Sequence, residues 1–205
     1  MFTSSDDLDI PALLDRTQAG PDDLGRLHRR LEQASQREGL LDIAYRTLDT
    51  PLGVLLLAAT EQGLVRVAYE REDHDVVLAG LAEKVSPRIL RSPARLDQAA
   101  RELDQYFARS RTAFDLPLDF SLAHGFRRAV QQYLPAISYG QTRSYAQVAE
   151  QVGNPQAVRA VGSACATNAL PIVVPCHRVI RADGTSGEYA GGPEAKAFLL
   201  TLEAA

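Results

Sequence analysis

The sequence predicts an α/β protein in two parts: a small antiparallel sheet with helices, followed by a mainly helical C-terminal half. Three observations carry this. From Leu40 on, the runs LLDIAYRTL, LGVLLLAAT and GLVRVAYE are short and β-rich, with breaks at Thr50-Pro51 and Glu61-Gln62-Gly63, the pattern of a meander. Residues 73–85 and 94–109 then place apolar residues at helical spacing. After DLPLDF, which reads as an extended linker around Pro117, the pattern becomes short helices punctuated by glycine and proline. The expected division is a helical extension over 1–39, an α/β domain over 40–115 and a C-terminal domain over 116–205.

In the extension, Ser4-Ser5-Asp6-Asp7 offers N-cap candidates before IPALLDRTQ, and Gly20-Pro21 ends that segment. Asp22-Asp23 opens a second helix with a narrow apolar stripe of Leu24, Leu27, Leu31 and Ala34; His28 beside it reads as a boundary residue. In the α/β part, His74 reads as a surface residue at a helix start. In the C-terminal half, one helix spans 123–134 and is closed by Pro135, and residues 137–142 form a turn. Ser144 caps the short helix YAQVAEQV, which ends at Gly153. Asn154 is the expected cap of QAVRAVGSACA, with Pro155 at its first helical position. Two short helices across a glycine turn have the shape of a helix-turn-helix.

Composition narrows the function. Apolar residues make up 45% and charged residues 23%, ordinary for a soluble globular chain. No stretch approaches the roughly 20 apolar residues of a membrane span, and the acidic MFTSSDDLDI is no secretory signal. Two cysteines, Cys165 and Cys176, make no disulfide scaffold, so free thiols in a reducing cytoplasm are expected. Net charge is −4, yet residues 1–120 hold 15 Lys/Arg against 21 Asp/Glu while residues 121–205 hold 7 against 5. The C-terminal half is therefore the better face for a polyanion.

Within that half, Ala157, Ala160, Gly162, Ser163, Ala164 and Ala166 leave one helix nearly bald, with Arg159 its only charge. A major-groove reader carries several long polar side chains. Small residues suit either tight packing on neighbouring helices or close approach to a minor groove. The thiol at Cys176 lies in PIVVPCHRVI, after an apolar run that reads as a buried strand. Adjacent side chains diverge in regular structure, so a working Cys176–His177 pair needs an irregular backbone, which Pro175 can supply, or a bridging water. On these residues alone the thiol is either a structural core group or an activated nucleophile. The cysteines are eleven residues apart and the histidines scattered, which fits neither a redox pair nor a zinc site.

The pieces YGQTRSYAQVAEQVGNP, RAVGSACATNALPIVVPCHRVI and GEYAGGPEAKAFLLTLE, in this order and spacing, resemble the O6-alkylguanine-DNA alkyltransferases (methylated-DNA–protein-cysteine methyltransferases). The resemblance is strong over 139–203, weak over the α/β part, and does not reach residues 1–40. It implies a ribonuclease-H-like first domain and a winged-helix-like second. It also implies single-use transfer of an alkyl group from O6-alkylguanine in double-stranded DNA, with O4-alkylthymine a further candidate substrate, to Cys176. His177 would take the thiol proton through a water, Glu203 would orient the imidazole, and Asn168 would organise the turn. Tyr145 would donate a proton toward the flipped base. Val179, Tyr189, Ala190, Gly191 and Lys196 would hold the base, with Cys165 bordering the alkyl pocket. Arg159 would fill the gap in the stack, with Ala160, Gly162, Ser163 and Ser144 against the DNA. No cofactor and no metal is implied, and the expected form is a cytoplasmic monomer. The chain departs from the family in having no Trp before YG, where Phe126 to Gln131 stand, and in Ala190 where some members have Ser. The alternative is a non-catalytic lesion binder of the alkyltransferase-like type, which Cys176 argues against. A promoter-binding regulator would call for a sensor domain, and residues 1–40 are too short for one.

Overall fold

A computed structural model describes residues 21–185 and 187–204. The expected N-cap at Ser4 to Asp7 and the helix over IPALLDRTQ lie outside the described residues, as do the side chains of Leu24 and His28. The chain forms two compact units, 1–40 and 41–205. In the first, α1 (Pro21–Arg37) carries an Arg26–Asp23 pair at 2.7 Å, one turn apart. Leu27 and Leu31 of its apolar stripe are exposed.

The second unit begins with strands β1 (Ile43–Thr50), β2 (Gly53–Ala59) and β3 (Leu64–Tyr69), an antiparallel meander as expected. Thr50 Oγ1 donates to Gly53 O at 2.7 Å and closes the first turn, where Gly53 has φ +88°. The sheet is mixed rather than purely antiparallel: β4 (Ile89–Arg91) pairs parallel with β1, giving the order β3-β2-β1-β4. The run VLLLAA in β2 is apolar on consecutive residues because both faces of the sheet are covered. Leu56 and Ala58 meet α2 (His74–Lys84) through Leu81, whereas Leu55 and Leu57 join α3 (Asp97–Phe107) through Leu103 and Tyr106. Asp73 caps α2 from a φ of +59°, its carboxylate accepting from Asp75 N at 3.1 Å. His74 is its first residue, as expected, but it is half-buried rather than on the surface, with its Nε2 buried.

The linker is extended and pinned. Leu64 N donates to Pro117 O at 2.8 Å and Asp119 N to Leu64 O at 2.9 Å, so Leu118 bridges the free edge of β3. Helix α4 (Gly125–Tyr133) follows, with Pro135 in a closing turn, then β5 (Arg143–Ser144), α5 (Tyr145–Gln151), α6 (Val158–Ala166), β6 (Val179–Ile180) and α7 (Gly192–Glu203). Strands β5 and β6 form a parallel pair. Ser144 caps α5 reciprocally with Gln147.

Two expectations fail locally. Helix α6 starts at Val158 with Ala157 at the N-cap, not at Asn154-Pro155. Asn154 O instead accepts from Ala157 N at 3.0 Å, a turn that Pro155 favours. The run Ile172 to Val174 is a buried turn, not a strand. The larger core is continuous from Leu55, Leu57 and Tyr106 to Val130, Val161, Cys176 and Leu199, so both predicted parts share one interior.

Candidate active site

The approach to Cys176 is bent twice. Ile172 has φ +73°, costly for a β-branched residue, and Val173 N donates to Pro171 O at 3.0 Å across it. Pro175, at φ −82° and ψ 64°, makes an inverse γ-turn in which Cys176 N donates to Val174 O at 2.8 Å. Pro175 thus supplies the expected irregularity, and Cys176–Arg178 becomes one tight helical turn. Asn168 fixes this path. Its Nδ2 donates to Val174 O at 2.8 Å and to Cys176 Sγ at 3.1 Å, while its Oδ1 accepts from Leu170 N at 3.0 Å.

Burial pushes the Cys176 thiol up to about 11; the Asn168 hydrogen bond and the Lys196 charge act against that rise. An unaided thiol would therefore be almost wholly protonated at neutral pH, and a base must remove its proton. His177 is fully buried, and its Nε2 lies 2.9 Å from Glu203 Oε1. Its Nδ1 is buried with no hydrogen-bond partner among the described residues, which leaves that nitrogen to accept. Burial lowers the imidazole's affinity for a proton, and the bond to Glu203 partly restores it.

Glu203 is the hub. Its oxygens take Arg178 Nε and Nη2 at 2.9 Å each, Tyr106 Oη at 2.6 Å and Gly140 N at 3.3 Å, besides His177. Burial would raise this carboxyl, but the bonds from His177, Arg178 and Tyr106 prevail and hold it at about 2. It is therefore an anion at neutral pH, held among buried donors. Arg178 also donates to Ile137 O and lies over the Tyr139 ring.

Lys196 is fully buried and donates to Val179 O at 2.6 Å, tying α7 to β6. Tyr189 is buried, edge-on to His177 with centroids 6.2 Å apart, and its hydroxyl pairs with Tyr69 at 2.9 Å. Gly191 is required where it stands, because a Cβ there would meet Tyr69 Cζ at 2.6 Å. Tyr145 opens α5, and its hydroxyl occupies the space a side chain at Gly187 would need. Burial, then the neighbouring Cys165 and Cys176, push its phenol up to about 12, so it holds a proton at neutral pH. Ala190 is half-buried in the 187–192 loop.

The remaining expected residues lie elsewhere on α6 or at the foot of α5. Arg159, Ala160 and Ser163 are exposed on one side of α6 and Gly162 is half-buried, while Val161, Ala164 and Cys165 face the core. The bald helix therefore packs with one side and leaves the other exposed. Ala160 and Ser163 share an open groove with His124, Phe126 and Arg127. Ser144 is engaged as the cap of α5.

Two family models match the chain: the 6-O-methylguanine DNA methyltransferase ribonuclease-like domain over residues 43–120, and its DNA binding domain over 125–205. The chain belongs to the 6-O-methylguanine DNA methyltransferase family. Among curated members, it is 41% identical to the methylated-DNA–protein-cysteine methyltransferase of Mycolicibacterium paratuberculosis, covering 78% of this chain and 92% of the relative. It is 42% identical to the constitutive enzyme of that name from Bacillus subtilis, covering 78% and 94%. Among solved members, Mycobacterium tuberculosis O6-methylguanine methyltransferase superposes with a TM-score of 0.70 at 37% identity, covering 79% and 93%. The Mycobacterium tuberculosis OGT crystallised in complex with DNA gives 0.68 at 38%, covering 78% and 92%.

Within this member of the family, the structure brings Cys176, His177, Glu203, Asn168, Lys196 and Tyr189 into or beside one buried cluster. It adds residues that the sequence reading passed over. Arg178 was legible in principle: a charge inside the apolar run VVPCHRVI must find a buried partner. Tyr106 and Tyr69 gave no such signal, since each looks like one more apolar residue in a helix or strand.

Proposed function

We propose that this chain repairs alkylated DNA by moving the alkyl group of O6-alkylguanine onto Cys176, once per molecule. The observation that carries the reading is a buried thiol, turned by Pro175 and held by Asn168, next to a histidine whose far nitrogen rests on an ionised glutamate. His177 Nδ1 takes the thiol proton through a bridging water, and Glu203 stabilises the imidazolium. The sulfur lone pair attacks the alkyl carbon. As the S–C bond forms, the C–O6 bond breaks and its electron pair stays with guanine, where the proton held by Tyr145 offsets the developing charge. The thioether product offers no leaving group, so the protein is consumed.

A stacked guanine cannot reach a buried sulfur, so the nucleotide must be extruded. Exposed Arg159 on the small-residue side of α6 fits the role of filling the gap from the minor groove, with Ala160, Gly162 and Ser163 letting the helix approach. Val179, Tyr189, Ala190, Gly191 and Lys196 hold the base, and O4-alkylthymine remains a candidate second substrate. Cys165, facing the core beside Tyr145, borders the alkyl pocket. In this reading residues 40–115 are a ribonuclease-H-like scaffold and residues 116–205 a winged-helix-like domain that binds DNA. The protein acts as a monomer in a reducing cytoplasm.

The test is intact mass and peptide mapping after incubation with a duplex containing O6-methylguanine. One methyl per protein on the Cys176 peptide is expected, with none on Cys176→Ser. Methyl on Cys165, or several turnovers per molecule, would sink the reading. Arg159→Ala is expected to weaken binding to lesion duplex by roughly tenfold, as lost stacking would. Its reaction with the free base O6-methylguanine, which needs no extrusion, is expected to be unchanged.

A further inference from the structure

We propose that Tyr106 is a positioning residue for the transfer: its hydroxyl shares Glu203 Oε1 with His177 and limits how firmly that carboxylate holds a proton on the imidazole. This rests on the reading of Cys176 and His177 above. Tyr106 belongs to α3, in the part of the chain that otherwise serves as scaffold. It is fully buried, and its ring is fixed by Phe107, Phe114 and Tyr139 at centroid distances of 5.6, 5.3 and 6.0 Å. Its hydroxyl donates to Glu203 Oε1 at 2.6 Å, shorter than the 2.9 Å from that same oxygen to His177 Nε2. Arg178 Nη2 reaches the oxygen too, at 2.9 Å.

One carboxylate oxygen thus serves three donors, and they compete. Each donor draws charge from the oxygen, so a strong bond from Tyr106 leaves less for a proton on His177. A base can take the thiol proton only while it is itself unprotonated, so its proton affinity must stay low enough to keep it neutral at the working pH. Burial pushes the Tyr106 phenol well above its ordinary range, so it stays a donor throughout the working pH. Among the described residues, the other groups acting on His177 are Lys196 from α7 and Arg178 from its own turn, with Tyr189, backed by Tyr69, edge-on from the 187–192 loop. Tyr139 faces Glu203 from the 137–142 turn. Among these, Tyr106 is the neutral donor on the carboxylate oxygen that His177 uses.

The experiment compares full-length wild type, Tyr106→Phe and Tyr106→3-fluorotyrosine, introduced by amber suppression. Two quantities are followed: the alkyl-transfer rate constant against pH, and the His177 imidazole titration by nitrogen NMR. Losing the donor is expected to move the acid limb and the imidazole titration up by about one pH unit. The more acidic fluorinated phenol, a stronger donor, is expected to move both down. A role confined to packing would lower stability and leave both curves in place. Curves that superimpose on wild type, or that move the same way in both variants, would overturn the proposal. If the Phe variant does not fold, the nearly isosteric fluorotyrosine variant decides. A wild type that transfers no alkyl group would count against the functional reading instead, and the NMR titration, which needs no turnover, would still settle the part played by Tyr106.

Discussion

Glu203→Gln is expected to destabilise the protein by about 3–5 kcal/mol and to slow alkyl transfer at least about a hundredfold. The first effect follows from Arg178. Arg178 is 5% exposed and its guanidinium makes two bonds to this carboxylate, so a neutral amide leaves a buried charge without its counter-charge. Tyr106 keeps an acceptor in the variant, which isolates the loss to the ionic partners. For a unit of this size the melting temperature is expected to fall by roughly 10–15 °C. The pH dependence supplies an independent check. The carboxyl sits at about 2 when folded, below the roughly 4.3 of an unfolded glutamate. Its contribution is therefore fully present above that unfolded value and is lost as pH falls toward 2. Wild type is expected to lose this share of stability on acidification, while the Gln variant has no such share to lose. Denaturant melts at neutral pH and near pH 3 read both effects. A variant within about 1 kcal/mol of wild type at neutral pH would show that the carboxylate is not the hub its contacts describe.

The strands were legible because their information is local. The meander follows from β-rich runs and turn residues, whereas the covering of both faces of β2 comes from the structure. The failures fall where two local rules compete. Asn154-Pro155 is a good helix start and an equally good turn; the turn prevailed, and α6 began at Val158, which is exposed, with Val161 its first residue packed in the core. Ile172 to Val174 read as a strand because apolarity and β-branching are shared by strands and buried turns. Nothing in the residues announces the positive φ at Ile172, which is tolerated because the surrounding core over-determines it.

The site was legible to the extent that its chemistry is carried by short motifs. Cys176, His177 and Asn168 lie within nine residues of one another, and the family resemblance implied that Asn168 organises the turn around the thiol. What escaped is long-range in sequence. Tyr106 reaches Glu203 across 97 positions and Tyr69 reaches Tyr189 across 120. Both belong to the part of the chain where the family resemblance is weak. Gln131 is similar: it donates to Ala164 O at 3.0 Å and secures the end of α6 against α4, yet in sequence it is one of two glutamines in a polar stretch. On α6 the buried side accounts for Ala164, while the small residues Ala160 and Ser163 on the exposed side have no packing reason and fit the proposed approach to DNA.

His177→Gln tests the chemistry most sharply, because wild type and variant are expected to differ in slope as well as in height. In the proposed reaction the wild-type imidazole is the base, and burial holds its proton affinity below that of a free histidine. The rate is therefore expected to be flat near neutrality and to fall in acid, at a pH below about 6.5, as His177 becomes protonated and can no longer accept. Removing the imidazole leaves a thiol that burial has pushed up to about 11. At neutral pH only about one molecule in ten thousand would then hold a thiolate, so the rate is expected to fall by about two to four orders of magnitude. What remains should climb about tenfold per pH unit, because each unit admits ten times more thiolate. Glutamine keeps a hydrogen-bonding group beside Glu203, which limits the cost to folding. Rates of methyl transfer from lesion duplex, measured from about pH 6 to pH 9 on variants checked for native melting, distinguish the outcomes. A variant with the flat profile of wild type would mean that another group takes the proton. A variant that climbs would assign the height of the wild-type plateau to His177 and show that the buried thiol is held in reserve as an acid until its neighbour removes the proton.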